Sequence, residues 1–567
     1  MNTPFIDHSK VSFFRNWSWL FLCALIPLME GCRPPEPADK NSNQQSNTID
    51  ASLASNTEDQ CEKWVDSIIS MSQPDQYSVK VEERVVTGLL NDWSSNCGST
   101  KHDLDTEGLK QWLNEEEIER LQSTRFNGKD TDHIRNCILY FNIWESVAAG
   151  LETDLERVNK VFEFVITNMA LIAEADMVPF SRHNTLLWGV GTAEDRALVF
   201  ADILRQNRID TCILTPVSPA NENAPWLVGV ILKDEVYLYN TQLGIPIPGP
   251  EADENQYGIS DVATLEEALN DDSILKKLAL DDEHPFLLTK EDLSQLNVEM
   301  IGYPELWVSR FSRLQTMLPK DNKFLLTDGL VDNESGQGLA SRLVAQSKGR
   351  WKIEELKIWP FPEKRRQQRL NMPEEQQQIE QSFEGSLRVY FGAQQDDTSD
   401  GTGYRITSSN LVHQARLAYL MGQYQQAVKQ YVGTQVILKQ SSDNDSLTVE
   451  QLMQIGKQEE AAQCQLALEN ISYWLPTAQM ALGKYDQAGD LYTEYGRKYG
   501  GTGFWTRAAV LNSITSYAQS KKYALAIQVV QQFMEPLPEG SLERYGLELK
   551  LKQLRNLQQQ ERLKQAN

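Results

Sequence analysis

The sequence predicts a mixed α+β fold: a helical N-terminal subdomain over residues 59–150, an α+β domain with an extension over 151–362, a linker over 363–409, and an α-helical repeat array over 410–567. Three observations predict it. Apolar residues recur at helical spacing through the first region. Two β-rich runs joined by a short turn follow a glycine-opened helix. A short kernel, A…G-x-Y-x-x-A, then returns along an otherwise helical C-terminal region. A chain of 567 residues has room for about three or four globular units.

The 79 acidic residues against 54 basic ones give a formal net charge of −25. Phosphate repels such a chain, and no Lys/Arg stripe is present, so nucleic acid is excluded as a partner. None of the seven cysteines forms a CxxC pair, and no metal spacing, phosphate loop or nucleophile elbow occurs. No cofactor is expected.

The chain opens with Lys10 and Arg15, then an apolar run from Trp17 to Met29. That run has the length of a signal peptide's apolar region and is too short for an ordinary spanning helix. It ends Leu28-Met29-Glu30-Gly31-Cys32, which resembles the lipobox of bacterial lipoproteins. Glu30 and Met29 depart from the usual pattern. The resemblance implies removal of residues 1–31, lipidation of Cys32 and a membrane-anchored, exported protein. Residues 32–58, rich in Pro, Asn, Ser and Gln, cannot bury a core and read as a flexible tether.

In the helical subdomain Val81, Val85, Val86, Leu89, Leu90 and Trp93 share one helix face. Ile134 to Trp144 repeat the pattern after an expected cap at Asp130 or Thr131. In an exported protein one pair among Cys61, Cys97 and Cys137 could bridge; buried thiols are the alternative.

The next region carries a helix over Leu155–Met169, a glycine turn at Gly189 and Gly191 opening a second helix, a strand at Thr211–Leu214, and two β-rich runs, Pro225–Leu232 and Glu235–Tyr239, joined by Lys233-Asp234. Phe162, Phe164, Val165 and Asn168, then Gly191, Asp195, Ala197, Leu204, Arg205 and Ile209, then Trp226, recur in the order of the transglutaminase-like superfamily, which this stretch of about a hundred residues resembles. The resemblance puts the family's nucleophilic cysteine on Ala193, its histidine near Ala224 and its aspartate near Asn240. That acyl-transfer chemistry needs a thiolate, a base and an orienting carboxylate, so these positions imply a catalytically dead module. The alternative is a hydrolase with a relocated nucleophile, Cys212, paired with His183. Glu194, Asp195 and Arg196 form either a polar site or the usual charge complement of a helix start.

Beyond a rigid loop at Leu243–Pro250 and a capped helix at Ala263–Leu269, the residues predict a helix over Tyr303–Leu318 and an alternating strand over Trp351–Trp359, with Met317, Trp351 and Trp359 in the core. The Lys364-Arg365-Arg366 patch reads as a solvated helix end, and Gln394–Gly403 as a loop.

The C-terminal kernels are Gly422/Tyr424/Ala427, Gly483/Tyr485/Ala488 and, with Lys521 in place of glycine, Tyr523/Ala526. They resemble the tetratricopeptide repeat: a small residue lets paired helices approach and an aromatic fills the groove. The last two glycine positions are 38 residues apart and the first two 61 apart, against a family period of about 34. An irregular helix pair or insertion around Ser441–Ser446 accounts for the excess. The resemblance implies a protein partner held by the repeats, so the chain reads as a membrane-tethered interaction scaffold. Leu547–Gln565 is a terminal helix.

Overall fold

The computed structural model describes residues 51–75, 81–97, 109–172, 178–253, 257–319, 323–330, 338–396, 403–439, 446–500 and 503–566. Cys32, the leader, the first part of the tether, and most of the Ser441–Ser446 insertion lie outside them.

Two helices open the described chain, α1 (Ala51–Met71) and α2 (Val81–Cys97). The expected tether, which ended at residue 58, therefore already contains a helix start. Val65, Ile68, Val86, Leu90 and Trp93 are buried between these helices and their neighbours. A disulfide joins Cys61 to Cys97, with Cα atoms 5.9 Å apart, while Cys137 is a buried free thiol. Helix α3 (Gly128–Val147) is capped by Asn127, three residues before Asp130, the nearer of the two expected caps. Asn127 takes the Lys129 N–H at 2.9 Å, and Asp130 reaches back to the Asn127 N–H at 2.8 Å. Asp130 also meets Arg310 at 2.5 Å.

The central domain is built the same way, by capped helices against a sheet. Thr153 and Glu156 form a capping box at the start of α4 (Asp154–Asn168). Helix α5 (Arg182–Trp188) ends at Gly189, whose φ of 72° is left-handed and whose absent Cβ leaves room for the Asn168 carbonyl. Thr192 and Asp195 then cap α6 (Ala193–Arg205). The six-stranded sheet consists of β1 (Thr211–Pro216), β2 (Leu227–Leu232), β3 (Glu235–Asn240), β4 (Ile245–Pro246), β5 (Leu296–Met300) and β6 (Leu356–Ile358). Its spatial order is β4-β3-β2-β1-β5-β6, antiparallel except for the β5–β6 pair. Lys233 and Asp234 both have positive φ, 50° and 65°. That is the primed turn whose twist suits a two-residue hairpin between Leu232 and Glu235. The inner strands β1 and β2 are buried along most of their length and carry the apolar runs Cys212–Leu214 and Leu227–Leu232, whereas β5 and β6 combine buried with exposed or partly exposed positions.

Four expectations are corrected here. Tyr303–Leu318 is two short helices, Pro304–Trp307 and Arg310–Thr316, because Val308 between them is extended and buried. Within Trp351–Trp359 only Leu356–Ile358 is strand; Ile353–Glu355 forms a tight helical turn. Trp351 and Trp359 are nevertheless buried. The expected linker carries α7 (Phe361–Leu370), α8 (Glu374–Ser386) and a hairpin of Val389–Asp396 with Gly403–Ser409, so the start and end of the Gln394–Gly403 loop are strand. Phe383, Leu387 and Val389 bury into the same core as the sheet.

The C-terminal region is helical: α9 (Leu411–Leu420), α10 (Tyr424–Lys439), α11 (Val449–Gln454), α12 (Gln458–Ala481), α13 (Tyr485–Tyr499), α14 (Thr506–Gln519), α15 (Tyr523–Met534) and α16 (Leu542–Ala566). Each kernel glycine position is a left-handed helix end, with φ of 74° at Gly422, 73° at Gly483 and 61° at Lys521. At each, the following N–H bonds back five residues: Gln423 to Ala418, Lys484 to Gln479 and Lys522 to Tyr517, at 2.8 to 3.0 Å. Gly456, φ 78°, makes the same turn with Lys457 bonding to Leu452. The excess spacing therefore hides a fourth helix pair, α11 with the start of α12, and α12 runs on without a break into the next pair. The glycines serve the turn rather than close helix approach: a Cβ at Gly456 or Gly483 would meet open space, whereas at Gly422 it would collide with Ser146 on α3. The small residues at close approach are Ala427, Ala488 and Ala526, all fully buried.

Candidate functional site

Ala193 is the first residue of α6 and is 8% exposed. Its carbonyl accepts a 3.0 Å hydrogen bond from the Thr241 hydroxyl, which ties the α6 start to the end of β3. Asn240, next to Thr241, is fully buried; its Oδ1 takes the Leu243 N–H at 2.8 Å and its Nδ2 has no hydrogen-bond partner among the described residues. The positions to which the resemblance assigned the nucleophile and the aspartate, Ala193 and Asn240, are therefore tied together through Thr241. Ala224 is partly buried in the loop before β2, where its N–H bonds to the Asn221 carbonyl. Trp226 likewise precedes the strand expected to hold it.

A run of aromatic rings and an ion pair ends at the cap of α6. The ring of Trp226 lies 6.3 Å from Trp359, and Trp359 stacks on Phe361 at 4.9 Å, at the start of α7. One turn on, Arg365 sits 5.0 Å over the Phe361 ring and donates to Asp195 at 2.7 Å. Both partners are nearly solvent-free. Arg365 is thus a buried latch, not the solvated helix end its basic neighbours suggested. Burial raises the Asp195 carboxyl above its ordinary range, with Arg365 and the Thr192 N–H pulling it down. Asp195 is fully spent on the cap and the latch. Arg196, also buried, donates to the carbonyls of Met169 and Thr241 and has no acidic partner among the described residues; burial lowers its guanidinium.

Cys212 on β1 is fully buried. A Cβ on Gly229 of β2 would come within 3.0 Å of its sulfur, so the thiol is walled by the adjoining strand. Burial, then Asp210, pushes the thiol far up, the opposite of an activated nucleophile. His183 on α5 faces Arg135 and His413 and is pushed well below its ordinary value, chiefly by burial. Among the described residues the two share no hydrogen bond. Cys137 does lie near a histidine, 3.6 Å from His133 Nε2. Burial holds that thiol at about 12 and that histidine at about 4, so both stay neutral.

A second place joins the repeats to the body. Arg416 of α9 is 1% exposed and reaches into the α4–α5 corner. It donates to the Leu187 carbonyl and to Asn168 Oδ1, both at 2.6 Å, and sits 5.0 Å over Tyr419 and over Trp474. Farther along, Asn512 of α14 donates to the Thr167 carbonyl, and Tyr545 of α16 to the Leu278 carbonyl at 2.6 Å. The repeat helices therefore meet the body at the end of α4 and at Leu278. Between these anchor points a cavity of about 550 Å³ remains, lined by α4, the turn around β4, the repeat helices and α16. Tyr424 and Tyr485, matched as groove fillers, face it together with Tyr419; only Tyr523 lies away, in a separate cluster formed by the last helices.

Sequence reasoning missed Arg365 and Arg416, because a buried arginine without a neighbouring acid in sequence looks like any surface charge. The one available signal was Arg416 inside an apolar kernel, Ala415-Arg416-Leu417-Ala418. Among the described residues no group of His, Cys, Asp and Glu could hold a metal ion, and no helix is long and apolar enough to cross a membrane. No family model, curated protein or solved structure matches the chain.

Proposed function

We propose that this chain is an exported lipoprotein, held at a membrane through Cys32, that works as a protein-interaction scaffold. Its central domain is a transglutaminase-like module without catalysis, and its tetratricopeptide-like repeats contact the protein partner. The observation that carries the non-catalytic reading lies at the start of α6. The residue at the expected nucleophile position is Ala193, 8% exposed, and Asp195, two residues on, is tied to Arg365. With no thiolate or base at these positions, only a remnant of triad catalysis, about 10³–10⁴-fold over water in well-studied enzymes, could survive. The capped helix packed beside antiparallel β1, β2 and β3 supports the module's family resemblance. The four left-handed turns support the repeats. The Cys61–Cys97 disulfide supports export, since such bonds persist in oxidising compartments.

Purified protein is expected to show no transglutaminase, protease or amidase turnover, and Ala193→Cys alone is expected not to restore it, because no base stands ready for the thiol proton. Turnover that vanishes in Cys212→Ser would favour the relocated nucleophile instead. Labelled palmitate should enter the wild type and not Cys32→Ser; a variant that stays labelled would remove Cys32 as the anchor. Crosslinking from membranes should capture a partner on residues 410–567.

A further inference from the structure

The cavity between the repeats and the body has the chemistry of a ligand site. Its volume of about 550 Å³ falls within the range of small-molecule pockets, roughly 300–1,000 Å³. Phe164 and Ile166 on α4, with Tyr419, Tyr485 and Met480 from the repeats, supply apolar lining, and the Phe164 ring stacks on Tyr419. Leu549, Lys550, Gln553 and Asn556 of α16 complete it at helical spacing.

Charged side chains line it as well. Among the described residues five lysines line the cavity against three carboxylates, in a chain whose acids outnumber its bases by 79 to 54. Lys160 is paired with Glu163 at 3.0 Å. Asp261 is held by the backbone N–H groups of Glu251 and Val262. Lys277 is spent on the carbonyls of Gly249 and Pro250, and Lys552 on that of Ala279. That leaves Lys276 and Lys550. Among the described residues neither makes a salt bridge or a side-chain hydrogen bond, although the charge of Asp271 reaches Lys276. The two belong to abutting elements, since Tyr545 and Lys552 of α16 bond to the carbonyls of Leu278 and Ala279. Among the described residues no arginine, whose planar fork suits phosphate, lines the cavity.

We propose that this cavity binds an amphipathic carboxylate, its apolar body lying between α4 and the repeat tyrosines and its carboxylate meeting Lys276 and Lys550. The site is independent of the scaffold reading and of lipidation at Cys32.

Equilibrium dialysis of the intact chain with dodecanoate and with dodecan-1-ol tests the idea. Dodecanoate should bind saturably and at least about tenfold more tightly than the alcohol, the size of a charge-assisted hydrogen bond. The double variant Lys276→Glu with Lys550→Glu, both at positions that reach solvent, should lose that tenfold preference, keep alcohol binding and keep the wild-type melting temperature. A diazirine-bearing dodecanoate should label peptides of α4, α12 and α16. No saturable dodecanoate binding, equal binding of acid and alcohol, an unchanged double variant, or labelling elsewhere would each overturn the proposal.

Discussion

Two interfaces in this molecule differ in what lies between their surfaces. At the start of α6 the cap residue Asp195 is tied to Arg365, and a run of aromatic rings continues from Arg365 through Phe361 and Trp359 to Trp226. The repeats touch the body at anchor points, Arg416 and Asn512 at the end of α4 and Tyr545 at Leu278, with a cavity between them. Where the sequence pattern pointed to chemistry, the cap residue is taken up by its neighbours. Where the repeats meet the body, a cavity stays open. The difference teaches that a helix start becomes a site only if its cap residues remain unspent. Asp195 is consumed by Thr192 and Arg365, whereas two lysines facing the cavity keep their donors.

Removing the two arginines should separate the interfaces most sharply. Arg416→Met strands the Leu187 carbonyl and Asn168 Oδ1 in a dry corner, and each buried group left unpaired costs about 1–3 kcal/mol. With the lost ring contacts, the total should reach about 3–5 kcal/mol by urea denaturation. Limited proteolysis should then release residues 410–567 from the body. Arg365→Met should cost less, about 2–3 kcal/mol, because Asp195 keeps its capping bonds and can take up a proton. Equal losses would mean that the latch, not the seam, carries the assembly.

The disulfide provides a measure on a region outside both interfaces. A loop of sequence separation 36 is worth about 3 to 4 kcal/mol in chain entropy. Cys61→Ser with Cys97→Ser should lower the denaturation midpoint accordingly, and reductant should do the same to the wild type only. A reductant-insensitive wild type would show the thiols to be free.

Acid should act on the two interfaces in opposite senses. His413 on α9, against Arg135 and Arg388, is held by burial at about 4, and His183 beside it is also lowered. In the unfolded chain both would protonate near 6.5. As pH falls from about 6.5 toward 4 the unfolded state takes protons that the folded state refuses. The seam then loses up to about 1.4 kcal/mol per pH unit per histidine. Asp195 is shifted up, so its neutral form favours the folded state, and that contribution is lost as pH rises through its folded value. The melting temperature should therefore drop on acidification from pH 6.5, and His413→Gln should flatten the drop; a slope identical to wild type would remove the seam as its source.

Much of this architecture was legible in local chemistry. The hairpin at Lys233-Asp234, the cap at Thr264, and the burial of Ala427, Ala488 and Ala526 all follow from neighbours in sequence. What stayed hidden was set by partners far away in the chain. Arg365 meets Asp195 across 170 positions and Arg416 meets Asn168 across 248, and no short pattern records such pairs. Gly456 was missed for a different reason: Gln458 stands where the other kernels have tyrosine, although the turn itself needs only the glycine.

The smallest effects come from the turns, where two glycines in identical backbone conformation should respond differently. Gly422 and Gly483 share φ near 74°, so alanine at either pays the left-handed penalty of about 1–2 kcal/mol. Only at Gly422 would the new methyl also strike Ser146, and overpacking adds about 1–3 kcal/mol. Gly422→Ala should therefore destabilise more than Gly483→Ala, and Ser146→Gly should recover part of the difference. Lys521 supplies the reverse test. It already bears the strain, with φ of 61°, so Lys521→Gly should stabilise by about 1 kcal/mol, less whatever glycine gains in unfolded-state freedom. The result would appear as a rise of a degree or two in melting temperature, about what that energy yields in a chain of this size. If Lys521→Gly destabilises instead, the fourth turn is held by its lysine side chain and not by its backbone, and the equivalence of the four turns fails.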